Sequence, residues 1–197
     1  LAAVKHGNGR DWWVVHKRYL PGGGSDEFYV YYVSDNGIVQ LPVQHVGWQN
    51  ETNLIRLKFS FSGDKLVSTD AGNIMELFSF DRCYGLISNP RLLHQRQGAS
   101  LNGLFWSSEF SPDETRLYLT TISYGNNDSI SCLIQFDLQA PDIQASMDTL
   151  QISLAPYAYG FLKLAPDNRI YLASRSDASD CDFFYLYCDT TYYPEIM

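Results

Sequence analysis

Apolar and polar residues alternate along most of this chain, in short runs broken by polar turns. The clearest case is Phe110-Ser111-Pro112-Asp113-Glu114-Thr115-Arg116-Leu117-Tyr118-Leu119-Thr120. It reads as the end of one strand, a tight turn and the start of the next, because period-two alternation suits a half-buried strand. The pattern recurs. Leu164-Ala165-Pro166-Asp167-Asn168-Arg169-Ile170-Tyr171-Leu172 repeats it downstream. Phe61-Ser62-Gly63-Asp64-Lys65-Leu66-Val67-Ser68 repeats it upstream with a shorter turn, and Gly9-Arg10-Asp11-Trp12-Trp13-Val14-Val15 is a diverged fourth copy.

The copies lie about 50 residues apart, the period of four-stranded propeller blades. The expected fold is therefore an all-β propeller of four-stranded antiparallel blades. Four blades are visible as one region, 1–48, 49–98, 99–155 and 156–197. The first should hold strands at 1–5, 11–17, 27–34 and 38–46. Asn36-Gly37 makes a hairpin turn there, and Pro42 fits an edge strand. The second should hold 54–61, 65–69 and 73–81, with 83–90 returning the chain to a fourth strand at 91–94. The third should hold 104–110, 116–122, 130–138 and 149–154, with Phe136-Asp137 matching Phe80-Asp81. The fourth should hold 159–164, 169–173 and 182–188. Its last strand is missing, so a larger ring of about seven blades, incomplete at one or both ends, is expected; a self-contained four-bladed ring is the alternative.

Charge narrows the function. The net charge is -8, and basic residues are scattered, which argues against a nucleic-acid binder or an anionic-lipid binder. No run approaches the ~18 apolar residues of a membrane span. The chain opens at Leu1 inside an apolar run, which reads as a processed or incompletely represented start, so the lack of a visible signal peptide says little about location. The aromatic content of 15% favours strands.

The ordered motifs resemble a known family. Val4-Lys5-His6-Gly7-Asn8-Gly9-Arg10-Asp11-Trp12-Trp13 comes first, then Leu57-Lys58-Phe59-Ser60-Phe61-Ser62-Gly63-Asp64 and Met75-Glu76-Leu77-Phe78-Ser79-Phe80-Asp81. Glu109-Phe110-Ser111-Pro112-Asp113, Leu133-Ile134-Gln135-Phe136-Asp137-Leu138 and 162–173 follow in the same order. The set resembles secreted β-propeller proteins of Bacteroidetes with WD40/YVTN-like repeats, of the surface and adhesin class associated with type IX secretion. The resemblance implies an extracellular or cell-surface location and no assigned activity. It places no catalytic role on any residue.

The candidate chemistry is sparse. Asp64, Asp113 and Asp167 repeat with the turns, where an Asp accepts backbone N–H groups. Lys65, Arg116 and Arg169 start strands and are placed to pair with them. His6, His16, His45 and His94 show no metal-ligand spacing. Asp177, Asp180 and Asp182 crowd one loop and are weak calcium candidates without the sharp-turn glycine of an EF-hand. Among Cys83, Cys132, Cys181 and Cys188 there is no CxxC pair; Cys181 and Cys188 are placed to close a small ring, with four unpaired thiols the alternative. Gly22-Gly23-Gly24 lacks the Lys-Ser/Thr of a phosphate loop. Trp12 and Trp13 point to opposite faces of one strand, so at most one faces any given cavity. Asn50 and Asn127 open sequons. Ser129 and Thr149 lie in Asp-Ser/Thr-apolar triplets that Bacteroidetes modify on the hydroxyl.

No cofactor is implied. The first expectation is a non-catalytic propeller that meets a protein or glycan partner at the cell surface, within a larger adhesin or assembly. The second is a lactonase-type enzyme with polar groups converging in a central channel. The third is a structural subunit whose outer edges, such as 39–46, pair with a neighbouring chain.

Overall fold

The computed structural model describes residues 1–20, 24–49, 54–70, 74–95, 104–123, 130–154 and 157–176. Every regular element among them is a β-strand. The chain forms two compact units, Leu1–Arg96 and Gln97–Met197.

The first unit holds two antiparallel sheets. In one, β1 (Ala2–Lys5), β2 (Trp12–Lys17), β3 (Glu27–Ser34) and β4 (Gly37–Gln40) lie in chain order, and β5 (Gln44–His45) also pairs with β3. In the other, β6 (Ile55–Phe59), β7 (Lys65–Asp70), β8 (Ile74–Asp81) and β9 (Leu86–Gln95) again lie in order. Val4, Trp13, Val15, Phe28 and Val30 of the first sheet share one core with Phe59, Leu66, Phe78, Phe80 and Ile87 of the second. Phe28 meets Phe78 edge-on at 5.3 Å and Phe59 meets Phe80 at 4.9 Å. Each large side chain so buried contributes roughly 1.5–3 kcal/mol.

The second unit holds β10 (Leu104–Phe110), β11 (Arg116–Ser123), β12 (Ile130–Asp137) and β13 (Asp148–Leu154) as one four-stranded sheet. β14 (Tyr157–Leu164) and β15 (Ile170–Ser176) form a two-stranded sheet. Tyr118 and Leu133 pack against Tyr159 and Leu162 between these sheets. The third strand expected at 182–188 lies outside the described residues.

The outer strand expected at 38–46 is broken. β4 and β5 both pair with β3, and Leu41-Pro42-Val43 interrupts them, because proline has no N–H to continue the ladder. The hairpin loop is Asp35-Asn36, and positive φ falls on Gly37 alone. The return segment expected at 83–90 is largely strand: Leu86 already pairs with Asp81, and β9 runs on past two irregularities.

The four repeated turns are real, but their alignment differs from the sequence reading. The pairs Lys5–Trp12, Phe59–Leu66, Phe110–Leu117 and Leu164–Ile170 flank them. The Ser60 N–H bonds Lys65 O at 3.0 Å just as the Ser111 N–H bonds Arg116 O. Phe59, not Phe61, therefore matches Phe110. Phe61 is 84% exposed whereas Phe59 and Phe110 are buried. A two-residue slip preserves alternation, so the sequence pattern alone does not detect it. The shorter turn is the last one, where Ala165 bonds Arg169. The same slip makes Phe78 the partner of Phe136, since these face Leu66 and Leu117.

Candidate ligand-binding cleft

Among the described residues, the first strand of each sheet in the Leu1–Arg96 unit pairs on one side only: β1 with β2 and β6 with β7. Their other edges border a cleft of about 520 Å³ lined by Ala2, Ala3, Val4, Lys5, Trp12, Leu57, Lys58, Phe59, Ser60, Phe61 and Arg82. Small residues at Ala2 and Ala3 leave the space open. Val4 and Phe59 turn down into the core, so alternation sends Lys5 and Lys58 to the other side of their strands. Trp12 shows the same logic: it is 43% exposed at the cleft while adjacent Trp13 is buried between the sheets.

Arg82 reaches the cleft because its loop is pinned. The Trp13 Nε1–H donates to Arg82 O at 2.7 Å, and the Gly7 N–H donates to the same oxygen at 2.9 Å. The Arg82 side chain lies against Gly63, where an added Cβ would sit 2.8 Å from Arg82 Cδ and 2.4 Å from Val4 Cγ2. The guanidinium makes no hydrogen bond or ion pair with any described residue. Lys5 Nζ stands 5.7 Å from the centroid of the Trp12 ring, within cation–π range. Three cations thus border a cleft with no carboxylate among its described lining residues, in a chain of net charge -8. The arrangement attracts anions and offers two exposed aromatic surfaces, Trp12 and Phe61.

The turn acids serve the turns. Asn8, Ser62, Asp113 and Asp167 are the equivalent positions; Asp64 instead matches Thr115, since their carbonyls accept from Phe80 and Leu138 respectively. Asp113 accepts from the Ser111 hydroxyl at 2.5 Å and the Thr115 N–H at 3.1 Å, which hold its carboxyl below the usual range. The Tyr171 hydroxyl and the Arg169 N–H do the same for Asp167. At Asp64 partial burial opposes, and the Ser62 hydroxyl and Lys65 outweigh it, leaving the carboxyl lowered. Of the expected charge pairs, Lys65 meets Asp64 at 3.2 Å, whereas Arg116 meets Asp137 at 2.6 Å rather than Asp113.

His6 bonds the Cys83 carbonyl oxygen and packs on Trp13 and Tyr32; His45 meets Asp26 at 3.0 Å. Among the described residues no group of three or more His, Cys, Asp or Glu could hold a metal ion, and no helix is long and apolar enough to cross a membrane. Cys83 and Cys132 are free thiols. Thr149 is exposed on the edge strand β13. Asp177, Asp180, Asp182, Cys181, Cys188 and Ser129 lie outside the described residues.

No protein-family model and no curated protein sequence matches the chain. Solved structures do. A luciferin-regenerating enzyme matches with a TM-score of 0.51 at 17% identity, over 92% of this chain and 56% of its own. A candidate 6-phosphogluconolactonase from Bacteroides uniformis matches with 0.56 at 13%, over 87% and 46%. The β-propeller domain of Cps50 (Swd1) from Myceliophteria thermophila matches with 0.52 at 14%, over 89% and 47%. The fold is that of a β-propeller. The two complete four-stranded antiparallel sheets of chain order β6–β9 and β10–β13 are its blades, and the chain spans about half the length of these structures. At these identities the likeness concerns the fold alone.

Lys58, Phe61 and Arg82 belong to no motif that assigns them a functional role. A local signal marks Lys58 alone: β6 alternates Ile55, Leu57 and Phe59 with Arg56 and Lys58, which gives the strand one basic face.

Proposed function

We propose that this chain is a non-catalytic propeller region that meets a protein or glycan partner through the β1–β6 cleft, outside the cell or at its surface. The observation that carries the reading is the cleft itself, where Lys5, Lys58, Arg82, Trp12 and Phe61 converge in an otherwise acidic chain. Charge complementarity of this kind guides encounter and selects partners, and exposed aromatics supply contact area. The surface location rests on the resemblance of the repeats to secreted Bacteroidetes propellers. Exposure of Thr149 within Asp148-Thr149-Leu150 agrees with it.

The test is a binding panel of acidic, basic and neutral peptides and oligosaccharides on the immobilised chain, with Arg82→Glu in parallel. Saturable binding that Arg82→Glu abolishes is expected, with lactone turnover at background. Protein from its natural source should carry sugar-sized mass increments at Thr149. Turnover of a lactone without any cleft-dependent binding would instead favour the enzyme reading, which the likeness to a luciferin-regenerating enzyme and a candidate 6-phosphogluconolactonase motivates.

The assembly reading has its own support. Leu150, Ile152 and Leu154 on edge strand β13, and Ile38 and Val39 on edge strand β4, are exposed. Concentration-dependent sedimentation would favour it.

A further inference from the structure

We propose that the occupant of the β1–β6 cleft is an extended acidic peptide segment of a protein partner, laid along a free strand edge. This rests on the interaction reading above and names its ligand class. The choice between peptide and glycan follows from the lining. Sugar hydroxyls are read by carboxylates, which accept, together with side-chain amides, which both accept and donate. The cleft's described lining side chains offer three cations, one hydroxyl (Ser60) and no Asp, Glu, Asn or Gln. Cations donate only, so they suit carboxylates.

The remaining hydrogen-bonding groups are those of the backbone. Among the described residues β1 pairs only with β2 and β6 only with β7, so alternate N–H and C=O groups on each outer edge face the cleft. A strand edge is a template for another extended chain, supplying main-chain bonds that a sugar cannot match in register. An added strand presents side chains to the two faces in turn. Acidic side chains at alternate positions would meet Lys5 and Arg82, and Lys58 adds to the positive field of the lining. An aromatic or apolar residue among them would meet Trp12, exposed at 43%, or Phe61. The net charge of -8 repels acidic peptides elsewhere on the chain, which concentrates the attraction here.

The experiment is fluorescence anisotropy of a labelled alternating Glu-Tyr octapeptide titrated with the full chain. A labelled oligogalacturonate is titrated in parallel, and an unlabelled Lys-Tyr octapeptide serves as competitor. Saturable binding of the Glu-Tyr peptide is expected, weakening as salt rises toward physiological strength, with no competition from the Lys-Tyr peptide. Lys5→Glu with Arg82→Glu should weaken it by at least about tenfold. Lys163→Glu, at an exposed site of β14 that is not among the described lining residues, should leave it unchanged. Lys5→Glu changes an exposed side chain and tests the same point should the double variant unfold by circular dichroism. Oligogalacturonate binding that depends on Arg82, without peptide binding, would overturn the peptide assignment and keep the interaction reading. Binding of none of these probes, or binding equally affected by Lys163→Glu, would overturn both.

Discussion

Lys17 Nζ lies 2.8 Å from Glu76 Oε2, and both side chains are 1% exposed. The pair joins β2 of one sheet to β8 of the other. It also clamps a third segment: Lys17 Nζ donates to Trp48 O at 3.1 Å, and the Trp48 N–H donates to Glu76 Oε1 at 2.7 Å. Lys17 sits over the Phe28 and Phe78 rings at 5.1 and 5.9 Å. Removing one partner strands the other charge in a dry site. Glu76→Leu or Lys17→Met alone should each cost about 3–5 kcal/mol, whereas the double change should recover most of it. Urea unfolding of the four proteins checks this, and additive losses would refute the coupling.

The repeated turn makes a second expectation. Its left-handed position is Gly9, Gly63, Glu114 and Asn168 in the four copies, with φ of 74°, 78°, 57° and 63°. A Cβ at Gly9 meets nothing within 4 Å, while one at Gly63 strikes Val4 and Arg82. Gly9→Ala should cost about 1 kcal/mol from backbone strain alone. Gly63→Ala should cost about 2–4 kcal/mol, because overpacking adds to the strain. Asn168→Val should cost about 1–2 kcal/mol, since a β-branched residue tolerates positive φ poorly. Equal losses at Gly9 and Gly63 would contradict the packing argument.

Much of this architecture was legible in the sequence. Strand alternation and the Ser-Pro-Asp turn located β10, β11 and the hairpins, because turn chemistry and period two act locally. The register of the second copy was not legible. Phe59-Ser60 and Phe61-Ser62 present the same pattern two residues apart, and only the cross-strand pairing with Leu66 chooses between them. The Lys17–Glu76 pair was invisible for another reason. Its members lie in different sheets, and nothing near either residue records the partner. The cleft was half visible: Trp12 and Trp13 had to face opposite ways, but the arrival of Arg82 depends on a tertiary bond from Trp13.

Thiol reactivity offers a direct check on exposure. Cys83 is exposed and Cys132 is half-buried, and both are free. Under native conditions a thiol-specific disulfide reagent should modify Cys83 first and Cys132 more slowly. Peptide mapping after brief labelling reads the order. Full titration of denatured, unreduced protein then bears on the proposed ring: a count of two free thiols supports a Cys181–Cys188 bond, and all four of the chain's cysteines reacting removes it.

Asp11 provides the pH expectation. Its carboxylate is almost wholly buried. It accepts from the Tyr32 hydroxyl at 2.5 Å, Arg10 Nε at 3.1 Å and Asn8 Nδ2 at 2.6 Å. These bonds, the Tyr32 hydroxyl first, favour the ionised form over the opposing effect of burial and lower its pKa from 3.8 to about 2. A carboxyl whose folded pKa lies below its unfolded value stabilises fully above the unfolded pKa, near 4, and loses that contribution as pH falls through about 2. The stability gap between the native chain and Asp11→Asn should therefore be widest near neutral pH and shrink between pH 4 and 2, read as urea midpoints across a pH series. Tyr32→Phe removes the leading bond, so it should raise the Asp11 pKa and move the loss to higher pH. Curves for Asp11→Asn and the native chain that stay parallel through this window would show that the Tyr32–Asp11 bond does not hold the carboxylate ionised.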